Sequence, residues 1–129
     1  MPHFGEHITI DGYGGKEEIL DKKEVVLSAL QELPCILKMH PLSQPQVFFA
    51  PANNSKDPGG WSGYVIIAES HISIHTFPKR RFISADVYTC QNGLDTKNIE
   101  EYFSKKFDLA SIESNFILRG KKYPDVNIY

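Results

Sequence analysis

Residues 62–78 read Ser62-Gly63-Tyr64-Val65-Ile66-Ile67-Ala68-Glu69-Ser70-His71-Ile72-Ser73-Ile74-His75-Thr76-Phe77-Pro78. The continuous apolar run ending at Ala68 predicts a strand over 62–68 that is buried on both faces. Glu69 and Ser70 interrupt it. From His71 to His75 the pattern alternates strictly, which predicts a half-buried strand. On such a strand His71, Ser73 and His75 share one face, and Ile72 and Ile74 share the other. Pro78 ends it, and Phe82–Thr89 reads as the next strand.

Working outward, His7–Asp11 alternates and predicts a short strand, broken by Gly12, Gly14 and Gly15. Ile19, Leu20, Val25, Val26, Leu30 and Leu33 recur at helical spacing, predicting one helix over about 16–33, closed by Pro34. Gln46–Ala50 is β-prone, and 51–60 is a loop rich in Pro, Asn, Ser, Asp and Gly. Asp95 or Thr96 can cap a second helix that buries Ile99, Tyr102, Phe103 and Phe107. Ile112–Leu118 is the expected last strand. The order is roughly β-α-β-β-β-α-β. It predicts an α+β fold: a two-layer α/β sandwich, with a mostly antiparallel sheet and helices on one face.

With 129 residues, the chain is the length of one domain, and 41% hydrophobic residues suffice for a core. A net charge of −2 and a sequence pI near 6.2 argue against a nucleic-acid binder, whose footprint is a basic stripe. The longest basic run, Lys79-Arg80-Arg81, is short. No run of about 18 apolar residues exists to span a membrane. The N-terminal residues lack the basic and apolar regions of a signal peptide. Two cysteines, Cys35 and Cys90, are too few for a disulfide framework and suggest free thiols in a cytoplasmic protein.

Ser, His, Cys and carboxylate groups therefore gather around residues 69–90, and the residues alone leave three readings open. The polar face can be the solvated side of an antiparallel sheet. His71 and His75 can hold a metal, although no third ligand is obvious. Ser70 or Cys90 can be a nucleophile activated by His75.

The run Ala68-Glu69-Ser70-His71-Ile72-Ser73-Ile74-His75-Thr76-Phe77-Pro78, followed by Asp86-Val87-Tyr88-Thr89-Cys90, strongly resembles the prokaryotic S-adenosylmethionine decarboxylase proenzymes. Ser62-Gly63 upstream and Gly5-Glu6-His7 before the first strand resemble the same family, so that the likeness extends over roughly residues 5–120. It implies a pyruvoyl-dependent carboxy-lyase of polyamine biosynthesis that makes its own cofactor by cutting itself between Glu69 and Ser70. Residues 1–69 would become the β chain. Residues 70–129 would become the α chain, with Ser70 converted to a pyruvoyl group that forms a Schiff base with the substrate amine.

By this resemblance His75 is the processing histidine and Ser62 its hydrogen-bonding support. Cys90 is the general acid that protonates the carbanion. An unperturbed thiol, with a pKa of about 8.5, holds its proton at neutral pH. Cys35 matches nothing and is expected in the core. Asp86 matches the family but is expected to be structural, and the role of His71 is open. No metal is implied.

One position departs from the family. Lys79 stands where relatives carry the glutamate that holds the ribose hydroxyls, and lysine only donates hydrogen bonds. Phe77 replaces a common tryptophan. The adenine-stacking aromatic of relatives aligns near Lys56, where Trp61 could substitute. Phe77, Trp61 and Lys79 are thus the candidate substrate-binding residues. S-adenosylmethionine is the expected substrate. The alternatives are arginine or ornithine on the same scaffold, or a non-catalytic regulatory paralogue. Relatives form homodimers of the cleaved pair with the site near the interface, and the same is expected here.

Overall fold

The computed structural model describes residues 3–53 and 55–128; Met1, Pro2, Asn54 and Tyr129 lie outside the described residues. The elements are β1 (Gly5–Tyr13), α1 (Glu17–Leu20), α2 (Lys23–Ile36), β2 (Gln46–Ala50), β3 (Gly60–Ile67), β4 (Ser70–Phe77), β5 (Phe82–Thr89), α3 (Thr96–Lys106) and β6 (Ser111–Arg119). The six strands form one sheet in the order β2-β3-β4-β5-β1-β6, and every neighbouring pair is antiparallel. Four strands, not three, lie between α2 and α3, because the β-prone run 46–50 pairs fully with β3.

The alternation in β4 and β5 decides which face is covered. Ile72 and Ile74 are fully buried, as are Ile83 and Val87, together with Ile8 and Ile10 of β1. They meet Val26, Ala29, Leu30 and Leu33 of α2, and Ile99 and Phe103 of α3. Each such side chain contributes about 1.5–3 kcal/mol by leaving water. Asp95 caps α3 by accepting from the amide of Asn98, as its residue type predicts.

Five expectations are corrected. Strand 60–67 is not buried on both faces: Tyr64 and Ile66 are 40% and 41% exposed, because α2 covers only the face carrying Val65 and Ile67. The single helix over 16–33 is two helices, with α1 ending at Leu20. Pro34 lies inside α2 rather than closing it. The helix survives Pro34 because only its last turn follows, with Leu37 N–H still reaching the Leu33 carbonyl at 2.9 Å. Gly12 is part of β1, where a Cβ would lie 2.5 Å from Leu109 Cδ1. Cys35 is exposed, not core.

Candidate active site

Strands β3 and β4 are joined by the two-residue turn Ala68-Glu69, with Ile67 paired to Ser70. Ser70 has φ +148°, a region nearly reserved for glycine. Such a conformation costs on the order of 1–3 kcal/mol and persists only where its surroundings enforce it.

Both sides of the turn are held. On one side, the Cys90 amide donates to the Glu69 carbonyl oxygen at 2.8 Å. Ser70 pairs in register with Thr89, the residue before Cys90. On the other side, the Ala68 amide donates to the His40 carbonyl at 2.7 Å. The His40 amide and Nδ1 lie 3.1 and 2.8 Å from the two Glu69 carboxylate oxygens. The His40 ring hydrogen bond outweighs burial and holds the Glu69 carboxyl below its ordinary value.

Cys90 lies just past β5 with its thiol-bearing residue exposed. Two features fix it. Gly5 lets β1 come close, since a Cβ there would fall 2.3 Å from the Thr89 carbonyl oxygen. Glu6, only 7% exposed, accepts from the amides of Gly93 and Leu94 at 3.0 and 2.9 Å. Burial pushes the Glu6 pKa up, but these backbone bonds and the His3 ring prevail and lower it.

Ser62 and His75 are cross-strand partners, and Ser62 Oγ lies 2.8 Å from His75 Nδ1. The pair stands on the uncovered face, and His75 is exposed. His75 is five positions along β4 from Ser70, roughly 17 Å at ~3.3 Å per residue. Within one chain the fold therefore makes two groups: Glu69, Ser70 and Cys90 at one end of the sheet, Ser62 and His75 well along it.

Between them stands Asp86. Its Oδ2 meets His7 Nε2 at 2.6 Å and His71 Nε2 at 3.0 Å, and its Oδ1 accepts from the Ser73 hydroxyl. Burial raises the Asp86 pKa, and these three partners more than offset it, leaving the group below its ordinary value. Arg119 Nη1 is 2.8 Å from His7 Nδ1. Arginine only donates, so His7 accepts at Nδ1 and carries its proton on Nε2, towards Asp86. His7, His71 and Asp86 place ligand-type atoms within 4.8 Å of one another. The protonated Nε2 of His7 has no lone pair for a metal in this arrangement. The His71–His75 pair suggested by sequence spacing is not the one the fold brings together.

The candidate substrate residues lie at the other end of β4. Phe77, seven positions and roughly 23 Å from Ser70, lines a cavity of about 570 Å³ with Tyr13 and Phe82. The Phe77 and Phe82 rings are 5.6 Å apart, and Tyr13 and Phe82 are 5.4 Å apart. Trp61 is on the helix-covered side, against Phe49 and the core, with its buried Nε1 unpartnered among the described residues. Lys79 turns to Glu17 of α1, Nζ to Oε2 3.0 Å. His40 and the anchoring role of Glu6 escaped the sequence reading. A lone His before Pro41 carries no spacing signal.

Comparison with known proteins gives the family. The family model described as S-adenosylmethionine decarboxylase matches residues 6–120. The S-adenosylmethionine decarboxylase proenzyme of Clostridium botulinum strain Langeland is 33% identical over 121 residues, covering 94% of this chain and 98% of the relative. The proenzyme of the same name from Archaeoglobus fulgidus is 34% identical over 116 residues, covering 90% and 97%. The crystal structure of the adenosylmethionine decarboxylase from Aquifex aeolicus superposes with a TM-score of 0.79 at 26% identity, covering 99% of this chain and all of that one. A match spanning nearly the whole chain, on a six-stranded antiparallel sheet whose fourth strand opens on a strained serine, makes this chain a member of the S-adenosylmethionine decarboxylase family.

Proposed function

We propose that this chain is the proenzyme of a pyruvoyl-dependent S-adenosylmethionine decarboxylase that cleaves itself between Glu69 and Ser70. The observation that carries the reading is Ser70's φ of +148° beside a carbonyl already hydrogen-bonded by Cys90. The Ser70 hydroxyl attacks the Glu69 carbonyl carbon, and the oxygen that gains charge has a backbone N–H aimed at it. The C–N bond breaks, leaving an ester at the Ser70 side chain and a free amine at residue 70. A base then takes the Ser70 α-proton, and the Cβ–O bond breaks to release the Glu69 carboxylate. Water displaces ammonia from the remaining enamine, leaving a ketone at residue 70.

In the mature form the pyruvoyl group supplies an electron sink for loss of carbon dioxide. Cys90, one residue beyond Ser70's cross-strand partner, holds the proton that the new carbanion needs. Burial of the neighbouring Thr89 and the Glu6 anchor keep that thiol in place.

The roughly 17 Å along the strand from Ser70 to His75 of the same copy supports a processing histidine supplied by a second copy. The reading therefore includes a homodimer. The sheet and helices form a two-layer α/β sandwich, and its uncovered face meets a second copy. His75, with Ser62 at its Nδ1, then serves Ser70 of the partner. The aromatic group Tyr13, Phe77 and Phe82 offers a flat surface for a nucleoside base. Free arginine or ornithine has no such ring, which favours S-adenosylmethionine. Lys79 does not oppose a sulfonium, because Glu17 balances its charge. Free thiols and a role in polyamine biosynthesis support a cytoplasmic protein; no helix among the described residues is long and apolar enough to cross a membrane.

Carbon dioxide release from S-adenosylmethionine, measured beside arginine and ornithine, tests the substrate. Release from S-adenosylmethionine alone is expected; release only from a basic amino acid would refute the assignment.

A further inference from the structure

We propose that His40 is a positioning residue for self-cleavage, holding the scissile turn by the side chain of Glu69; the inference rests on the function proposed above. The turn has only two residues, and Ala68 offers no polar side chain. Glu69 is therefore the one side-chain handle by which the turn can be oriented. Its carboxylate is 11% exposed and meets His40 twice, through the backbone amide at 3.1 Å and through Nδ1 at 2.8 Å. The His40 carbonyl takes the Ala68 amide at 2.7 Å.

His40 is followed by Pro41, which bridges Ile67, and by Leu42, whose amide donates to the Ile66 carbonyl at 2.8 Å. Residues 40–42 thus run beside the end of β3 where β2 no longer does, since β2 pairs only as far as Tyr64. Cys90 holds the Glu69 carbonyl from the other flank. A backbone in a sparsely populated conformation relaxes unless it is fixed on both sides. With the His40 ring removed, the turn keeps its backbone bonds but loses the ring's hold on the Glu69 carboxylate, and the carbonyl carbon shifts from the line of attack of the Ser70 hydroxyl. Small misplacements of this kind carry large rate penalties. A carboxylate is an acceptor at both oxygens only when ionised, and the depressed Glu69 pKa agrees with that state.

The test follows the appearance of fragments 1–69 and 70–129 by intact mass in freshly made full-length protein. His40→Ala and Glu69→Gln are each expected to slow cleavage tenfold or more. The double variant is expected to be no slower than the worse single one, because both act on the same contact between the His40 ring and the Glu69 carboxylate. His40→Asn, whose amide nitrogen stands near the place of Nδ1, should recover most of the rate. Thermal unfolding in a Ser70→Ala background, which cannot cut, reads any general loss of structure. Wild-type cleavage by His40→Ala would overturn the proposal. So would effects that multiply in the double variant, or a rate loss unrescued by Asn and matched by a lowered melting temperature. If the wild-type chain itself never cleaves, the proposed function falls, and this inference with it. If only the His40 variants behave as wild type, the inference alone falls.

Discussion

The backbone amide of Cys90 donates a 2.8 Å hydrogen bond to the carbonyl oxygen of Glu69. In the reaction proposed above one residue has two separable duties: its amide polarises the bond to be cut, and its thiol serves the later chemistry.

That separation predicts the behaviour of Cys90→Ala. Alanine keeps the amide, so cleavage should proceed. The thiol is gone, so turnover should fall by roughly 10²-fold or more, the usual worth of a general acid. Single-turnover decarboxylation by the cleaved variant checks this. Unimpaired turnover would remove Cys90 as the acid.

At Ser70, two uncuttable variants should differ in stability. Ser70→Ala keeps a Cβ at φ +148°, whereas Ser70→Gly does not. Glycine should therefore be the more stable of the two by about 1 kcal/mol, although glycine is normally the less favourable residue in a strand. Denaturant unfolding measures the difference, and a more stable alanine variant would contradict the strain.

Much of this was legible in the sequence. Ile72 and Ile74 against His71, Ser73 and His75 fixed the face of β4, and the odd run at 68–78 carried the family resemblance. The exposed Tyr64 and Ile66 were not legible, because an apolar run cannot say whether a second layer covers it. Pro34 misled because a proline near the end of a helix costs far less than one in its middle. The distance from Ser70 to His75 was available from strand rise alone. Their membership in one motif suggested a closeness that extended backbone does not allow. The grip of His40 on Glu69 joins residues 29 apart in sequence through a loop, and no local pattern encodes it.

The proposed sharing of a site between copies predicts complementation. His75→Ala and Ser70→Ala proteins should each remain uncut alone. Co-expressed, the His75→Ala chain has an intact Ser70 and can borrow His75 from a Ser70→Ala partner. Cleavage of only the His75→Ala chain is expected in mixed dimers, read by mass with one chain tagged. No cleavage in a verified mixed dimer would rule out the composite site.

Glu6 predicts an acid limb in stability. Its pKa lies below the ordinary 4.5 in the folded protein. Its contribution is therefore complete above that ordinary value and is lost as pH falls through the depressed one. In a Ser70→Ala background, Glu6→Gln should lower stability near neutral pH by about 1–3 kcal/mol and flatten the loss of stability as pH falls below the ordinary 4.5. An unchanged acid limb would show that Glu6 does not anchor the 93–94 loop.

The most direct measurement is the intact mass of the purified wild-type protein after incubation, with a carbonyl reagent added. Two fragments should appear, 1–69 and 70–129, the second lacking a free amino terminus and gaining the mass of the reagent. An uncut chain that takes up no reagent would contradict the central claim that Ser70 cuts its own bond to Glu69 and becomes a ketone.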